Sequence, residues 1–81
     1  MRVRVLFFGP ARDFTGVEAA EYELPDGANV LALRELLGTA IPDMRRAMTA
    51  IRFAVNENFT TDSAVLTEGD EVAVIPPVSG G

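Results

Sequence analysis

Two short strand-like runs sit at opposite ends of this chain. One covers Met1 to Phe8, where Val3 and Val5 alternate with Arg2 and Arg4 before Leu6-Phe7-Phe8, and the other is Glu71 to Ile75. If the two lie side by side they run parallel. A parallel pair cannot be closed by a hairpin and requires a crossover, for which a helix is the usual solution. The chain has one good candidate for that helix. Asn29 is placed to cap it, Val30, Leu33 and Leu37 recur at helical spacing, and Gly38 is the expected stop.

The remaining segments fill in around this frame. Gly9-Pro10 breaks the first strand and residues 11–16 read as a loop. Ala20, Tyr22 and Leu24 then alternate with Glu21 and Glu23, predicting a second strand that forms a hairpin with the first. Pro25-Asp26-Gly27 is a turn. Residues 41–50 read as a short second helix, with Pro42 in its first turn, Asp43 at its positive end and Met44, Ala47 and Met48 on one face. Arg52 to Val55 is a strand, Asn56-Glu57-Asn58 a turn, and Phe59 the start of a brief edge strand. A single helical turn is expected over Asp62 to Leu66, and Glu68-Gly69-Asp70 turns into the last strand. The expected class is α+β, a mixed sheet packed on one main helix plus short helices, which is the β-grasp layout. A ferredoxin-like layout satisfies the same pattern. No internal repeat divides the chain, so residues 1–75 are expected to be one domain, followed by a C-terminal tail over 76–81.

Composition narrows the chemistry. Eighty-one residues with 48% hydrophobic content support one compact domain, with little room for a large internal active site. The chain has no cysteine and no histidine, and all seven basic residues are arginine. It therefore lacks a thiolate, a Ser-His pair, a Schiff-base lysine and any ordinary general base near neutrality, so catalysis by this chain alone is not expected, nor is a metal site. A net charge of -5 disfavours nucleic acid and anionic lipid and suggests a partner with a basic surface. No apolar run approaches a bilayer span and no signal peptide precedes the first strand, so no membrane association is expected and the cytoplasm is the expected compartment.

The last six residues are Pro76-Pro77-Val78-Ser79-Gly80-Gly81. Two glycines leave a backbone thread without side chains, able to enter a channel too narrow for a Cβ. At about 3.3 Å per residue, six residues reach about 20 Å when extended. Pro76 and Pro77 restrict the free tail and reduce the entropy lost when it is ordered in a partner. Chain ends are often simple frayed linker, but such linkers are usually Gly/Ser tracts, whereas here an apolar strand runs directly into Pro-Pro. The tail is read as a presented terminus with its carboxylate leading.

Leu6-Phe7-Phe8-Gly9-Pro10-Ala11-Arg12, Ala54-Val55-Asn56 and the stretch Gly69 to Gly81 resemble the small, sulfur-carrying subunit of molybdopterin synthase. The resemblance extends from the first strand to the last residue and favours β-grasp over its rival. It implies that an ATP-dependent, E1-like activating enzyme adenylates the Gly81 carboxylate, since that group is ionised and a poor acyl donor by itself. Sulfur from a sulfurtransferase or other donor then displaces AMP to give a thiocarboxylate. The loaded tail would enter the large synthase subunit, in a heterotetramer of two small and two large chains, and sulfur would pass to a cyclic pterin precursor on the way to molybdenum cofactor. ATP belongs to the activating enzyme, and no permanently bound cofactor is implied.

By the same resemblance Gly81 carries the acyl-adenylate and thiocarboxylate, and Gly80 gives clearance. Ser79 and Val78 line the channel, and Pro77 and Pro76 set direction. Phe8, Phe59 and Ile75 form an apolar partner-binding surface, with core packing as the competing reading for each. Arg12 is a further partner-binding candidate, set against plain solvent exposure. Asp70 and Glu71 are not a catalytic pair, because neighbours in a strand face opposite ways. Met44 and Met48 are read as packing. Related carriers serve thiamine or tRNA thiolation, and ubiquitin-like modifiers end in the same way. A modifier without lysine cannot be extended through its own lysines.

Overall fold

The computed structural model describes residues 1–77. Its element order is β1 (Arg2–Phe7), α1 (Pro10–Thr15), β2 (Ala19–Glu23), α2 (Val30–Ala40), a 3-10 turn (Pro42–Met44), β3 (Arg52–Val55), β4 (Asn58–Phe59) and β5 (Glu71–Ile75). The five strands form one sheet in the order β2-β1-β5-β3-β4. β1 and β5 are parallel neighbours at its centre and the other pairs are antiparallel. This is the β-grasp layout that the family resemblance favours over the ferredoxin-like alternative, with α2 as the crossover helix.

Strand alternation decides what packs beneath the helix. Val3, Val5 and Phe7 of β1, Val72 and Val74 of β5 and Phe53 of β3 point to the helix side, and none is more than 2% exposed. They meet Val30, Leu33 and Leu37, the stripe of α2, all fully buried. Asn29 caps the helix as expected, its side-chain oxygen accepting from the Ala32 N–H at 3.0 Å.

Four local expectations are corrected. Residues 11–16 are not a loop but belong largely to α1. Gly9-Pro10 is a helix start with Pro in the first turn, and Gly16, at φ 75°, closes the helix by donating to the Arg12 carbonyl. Gly38 does not end α2, which continues to Ala40. Residues 41–50 do not form an α-helix. After the 3-10 turn they run as successive tight turns, mostly with bonds three residues back, such as Ala47 N–H to the Met44 carbonyl at 3.0 Å. Met44 and Met48 are nevertheless buried as read.

Arg34 ties down the end of this segment. From α2 its guanidinium donates to the carbonyls of Met48 and Ile51, the latter at 2.8 Å, and to the Asp62 carboxylate at 2.8 Å. Those carbonyls are thereby drawn into tertiary bonds. Finally, residues 62–66 make no helical turn. They stay extended after residue 63, with Val30 N–H donating to the Ala64 carbonyl and Leu66 N–H to that of Ala28, so that Leu66 enters the core at 1% exposure.

Candidate functional site: the outer face of the sheet

The face of the sheet away from α2 is divided by its own register. One row crosses all five strands: Ala19 pairs with Leu6, Leu6 with Ala73, Ala73 with Ala54, and Ala54 with Phe59. It is apolar throughout. The next row towards the chain's exit from β5 contains Ile75 paired with Arg52, and continuing the Phe7–Val74 register by one residue sets Phe8 beside Ile75. In the opposite direction the rows are charged, with Arg4 between Glu21 and Glu71, and Arg2 opposite Glu23.

The expected trio is therefore brought together at one end of one face. Phe8 is 52% exposed and Phe59 56% exposed, while Ile75 is half-buried. For the two phenylalanines core packing is ruled out. Phe8 stands next to Phe7 in sequence and on the opposite side of the sheet, and Phe7 is the one that fills the core. Phe59 lies on β4, a two-residue edge strand, where it is covered on one side by Arg52. The Arg52 guanidinium sits 4.3 Å from the ring centroid.

Arg12 is exposed and donates to the Glu18 carboxylate at 2.8 Å. With Arg4, Leu6, Phe8, Glu18 and Ala19 it lines an open groove. Sequence reasoning missed the contribution of Arg52, and with it Leu6, Ala19, Ala54 and Ala73. The signal was present in the period-two alternation, but only the register reveals that the small apolar residues fall in one row. Pro76 and Pro77 follow β5 directly beside this patch. Val78, Ser79, Gly80 and Gly81 lie outside the described residues.

At the other end of the sheet, Asp70 is tied into the turn before β5. Its partial burial opposes ionisation, but this is outweighed by the Thr67 N–H at 2.8 Å, the Asn56 amide at 3.0 Å and the Thr67 hydroxyl at 3.1 Å, which hold the carboxyl below its usual range. Asn56 also accepts from the Glu71 N–H, so Asp70 serves the turn. Among the described residues no group of three or more His, Cys, Asp or Glu side chains is placed to hold a metal, and no helix is long and apolar enough to cross a membrane.

A sheet face that is apolar only where the chain leaves for Pro-Pro-Val-Ser-Gly-Gly fits a carrier whose tail is presented to other proteins. The family model named ThiS family matches residues 5–81. The chain belongs to that family. A Chlamydomonas reinhardtii relative, the molybdopterin synthase sulfur carrier subunit, is 39% identical, with 100% of both chains covered. Among solved structures, one described as subunit 1 of a molybdopterin converting factor from Pyrococcus furiosus aligns with a TM-score of 0.86 at 30% identity, covering 95% of this chain and 98% of that one. Another, from a complex of subunits 1 and 2 of the molybdopterin-converting factor of Helicobacter pylori, aligns with a TM-score of 0.73 at 26% identity over 100% of both chains. This ThiS-family chain is a sulfur carrier with the β-grasp fold, as the resemblance implied.

Proposed function

We propose that this ThiS-family chain is the small subunit of a molybdopterin synthase and that it delivers sulfur from Gly81 to a pterin precursor. The observation that carries the reading is the position of the apolar half-face, around Phe8, Phe59 and Ile75, at the point where β5 hands the chain to Pro76 and Pro77. A partner seated there lies within reach of a tail of six residues, which extends about 20 Å. Relatives of the same length carry the same subunit name, and one neighbour was solved in complex with its second subunit.

The chemistry follows from what the chain lacks. With no His, Cys or Lys it offers no base or nucleophile to activate its own end, so activation falls to a second protein. The Gly81 carboxylate attacks the α-phosphorus of ATP in an adenylating enzyme, releasing pyrophosphate and forming an acyl-adenylate. Hydrosulfide released by a sulfur donor attacks the acyl carbon, the C–O bond to AMP breaks and AMP leaves, and Gly81 is left as a thiocarboxylate. Gly80 gives the thread its clearance, Ser79 and Val78 line the channel of the large subunit, and Pro77 and Pro76 direct entry. Two carriers and two large subunits form the working heterotetramer, in the cytoplasm.

The test is an intact-mass measurement. Incubated with an adenylating enzyme of this class, ATP and a sulfur donor, the full chain gains the mass of one oxygen-to-sulfur exchange at its last residue, and the Gly81 deletion gains nothing. If the full chain stays unmodified with enzymes that load a related carrier, the reading is wrong.

A further inference from the structure

The net charge of -5 suggests a basic partner, but apart from Glu18 the acids of the outer face lie away from its apolar end. Glu21, Glu23 and Glu71 occupy the charged rows of the outer face, and Glu68 and Asp70 lie in the turn leading into β5. The apolar end of the face has cations at its border. Arg12 is ion-paired with Glu18. Arg52 differs from it: the residue is exposed, and among the described residues no acidic group lies within 4.0 Å of its guanidinium. Its main-chain neighbour across β5 is Ile75, the last strand residue before the tail, and its guanidinium is stacked on Phe59.

Stacking of this kind is more than a local contact. The Phe59 ring, 4.3 Å from the guanidinium carbon, holds the group in place, and the guanidinium N–H groups can meet a carboxylate with two parallel bonds. A cation already ordered in this way loses less side-chain entropy on binding than a free arginine. Surrounded by Ile75, Phe59 and the apolar row, it would also be shielded from water once a partner is seated, and a screened surface pair would become a stronger one.

We propose that Arg52 determines partner choice on this face by receiving a carboxylate of the large synthase subunit beside the tail's exit. The surface recognised is thus apolar at its centre and acidic at its border, despite the acidity of the carrier itself. This rests on the synthase reading above. It does not require the sulfur chemistry, so the two can fail separately.

The experiment measures affinity of the full chain for the purified large subunit by calorimetry at low and high salt, comparing wild type with R52Q, R52E and R52K. Loss of a shielded charge pair predicts about tenfold weaker binding for R52Q and a larger loss for R52E, with R52K intermediate because it keeps the charge without the fork. Near 1 M salt the gap between R52E and R52Q should narrow but persist, because a pair shielded from water is screened less than an exposed one. Melting curves establish that each variant is folded. Wild-type binding with R52Q and R52E unchanged overturns the proposal. So does an equal loss in R52Q, R52K and R52E, which would assign Arg52 to packing on Phe59. Absence of wild-type binding defeats the synthase reading itself, and this inference with it.

Discussion

Phe7 and Phe8 are adjacent in sequence and opposite in consequence, and truncating each in turn separates folding from docking. Phe7 is 2% exposed and packs in the core, so F7A should cost about 3–5 kcal/mol of stability. A domain of this size has about 4–12 kcal/mol in total, so F7A brings the fold close to its unfolding limit. Phe8 is 52% exposed. A phenylalanine contributes about 150–250 Å² when buried, so about 100 Å² of Phe8 remains to be covered by a partner. At about 25 cal/mol per Å² this is worth about 2.5 kcal/mol, and about 1.5–2 kcal/mol after allowing for what alanine retains, or about a 10- to 30-fold loss of affinity. Urea unfolding and calorimetric titration with the large subunit read the two quantities independently. F8A should unfold within about 1 kcal/mol of wild type while binding more weakly. If F8A binds within twofold of wild type, the apolar half-face is not the docking surface. If it unfolds like F7A, the ring is structural despite its exposure.

Other consequences follow from the packing. Gly38 lies within α2 without a positive φ, and a Cβ built there meets only the Met48 side chain at 4.0 Å, so G38A should stabilise the fold by about 0.5–1 kcal/mol and raise Tm by about 2–8 °C in a thermal melt. R34A should cost about 2–3 kcal/mol in urea unfolding because it leaves the Met48 and Ile51 carbonyls and Asp62 without their donor, and R34K should recover only part of that because an ammonium cannot span all three. The Asp70 carboxyl titrates lower in the fold than in the unfolded chain, so its contribution is present above the unfolded pKa and disappears as pH falls through the folded one. Acid unfolding of D70N should therefore lose part of the pH dependence seen in wild type, and an unchanged profile would show that the turn does not depend on the charge.

What was legible in the sequence is what repeats with a fixed period. Alternation in Met1–Phe8, the stripe Val30, Leu33, Leu37 and the final apolar run suffice to place β1, α2 and β5, whereas the side-by-side pairing of β1 and β5 stays conditional until the family resemblance favours it. The tail was legible as composition. Local segments were misread where tertiary partners replace local hydrogen bonds. The turns after Pro42 have helical spacing but close mostly three residues back, and Arg34 holds the Met48 and Ile51 carbonyls at their end; residues 62–66 resemble a helical turn, but their backbone pairs with residues 28–31 instead. Gly9-Pro10 was read as a break because the same two residues that end a strand can begin a helix, and only Gly16 in the left-handed conformation distinguishes the cases.

The candidate site was half legible for a related reason. Phe8, Phe59 and Ile75 can be nominated one at a time, but a docking face is a property of register, and register depends on strands far apart in sequence. Once β1, β5 and β3 are aligned, one-residue steps along them move from Glu21–Arg4–Glu71 through a core-facing row to Ala19–Leu6–Ala73–Ala54–Phe59. The change from charged to apolar within two residues gives the face a direction. A partner that slid along the strands by two residues would meet the charged rows with its apolar centre and strip their charges of water, which costs more than the contact returns. The charged half therefore excludes wrong registers, while the apolar half and Arg52 hold the right one, and both fix the point from which the tail departs.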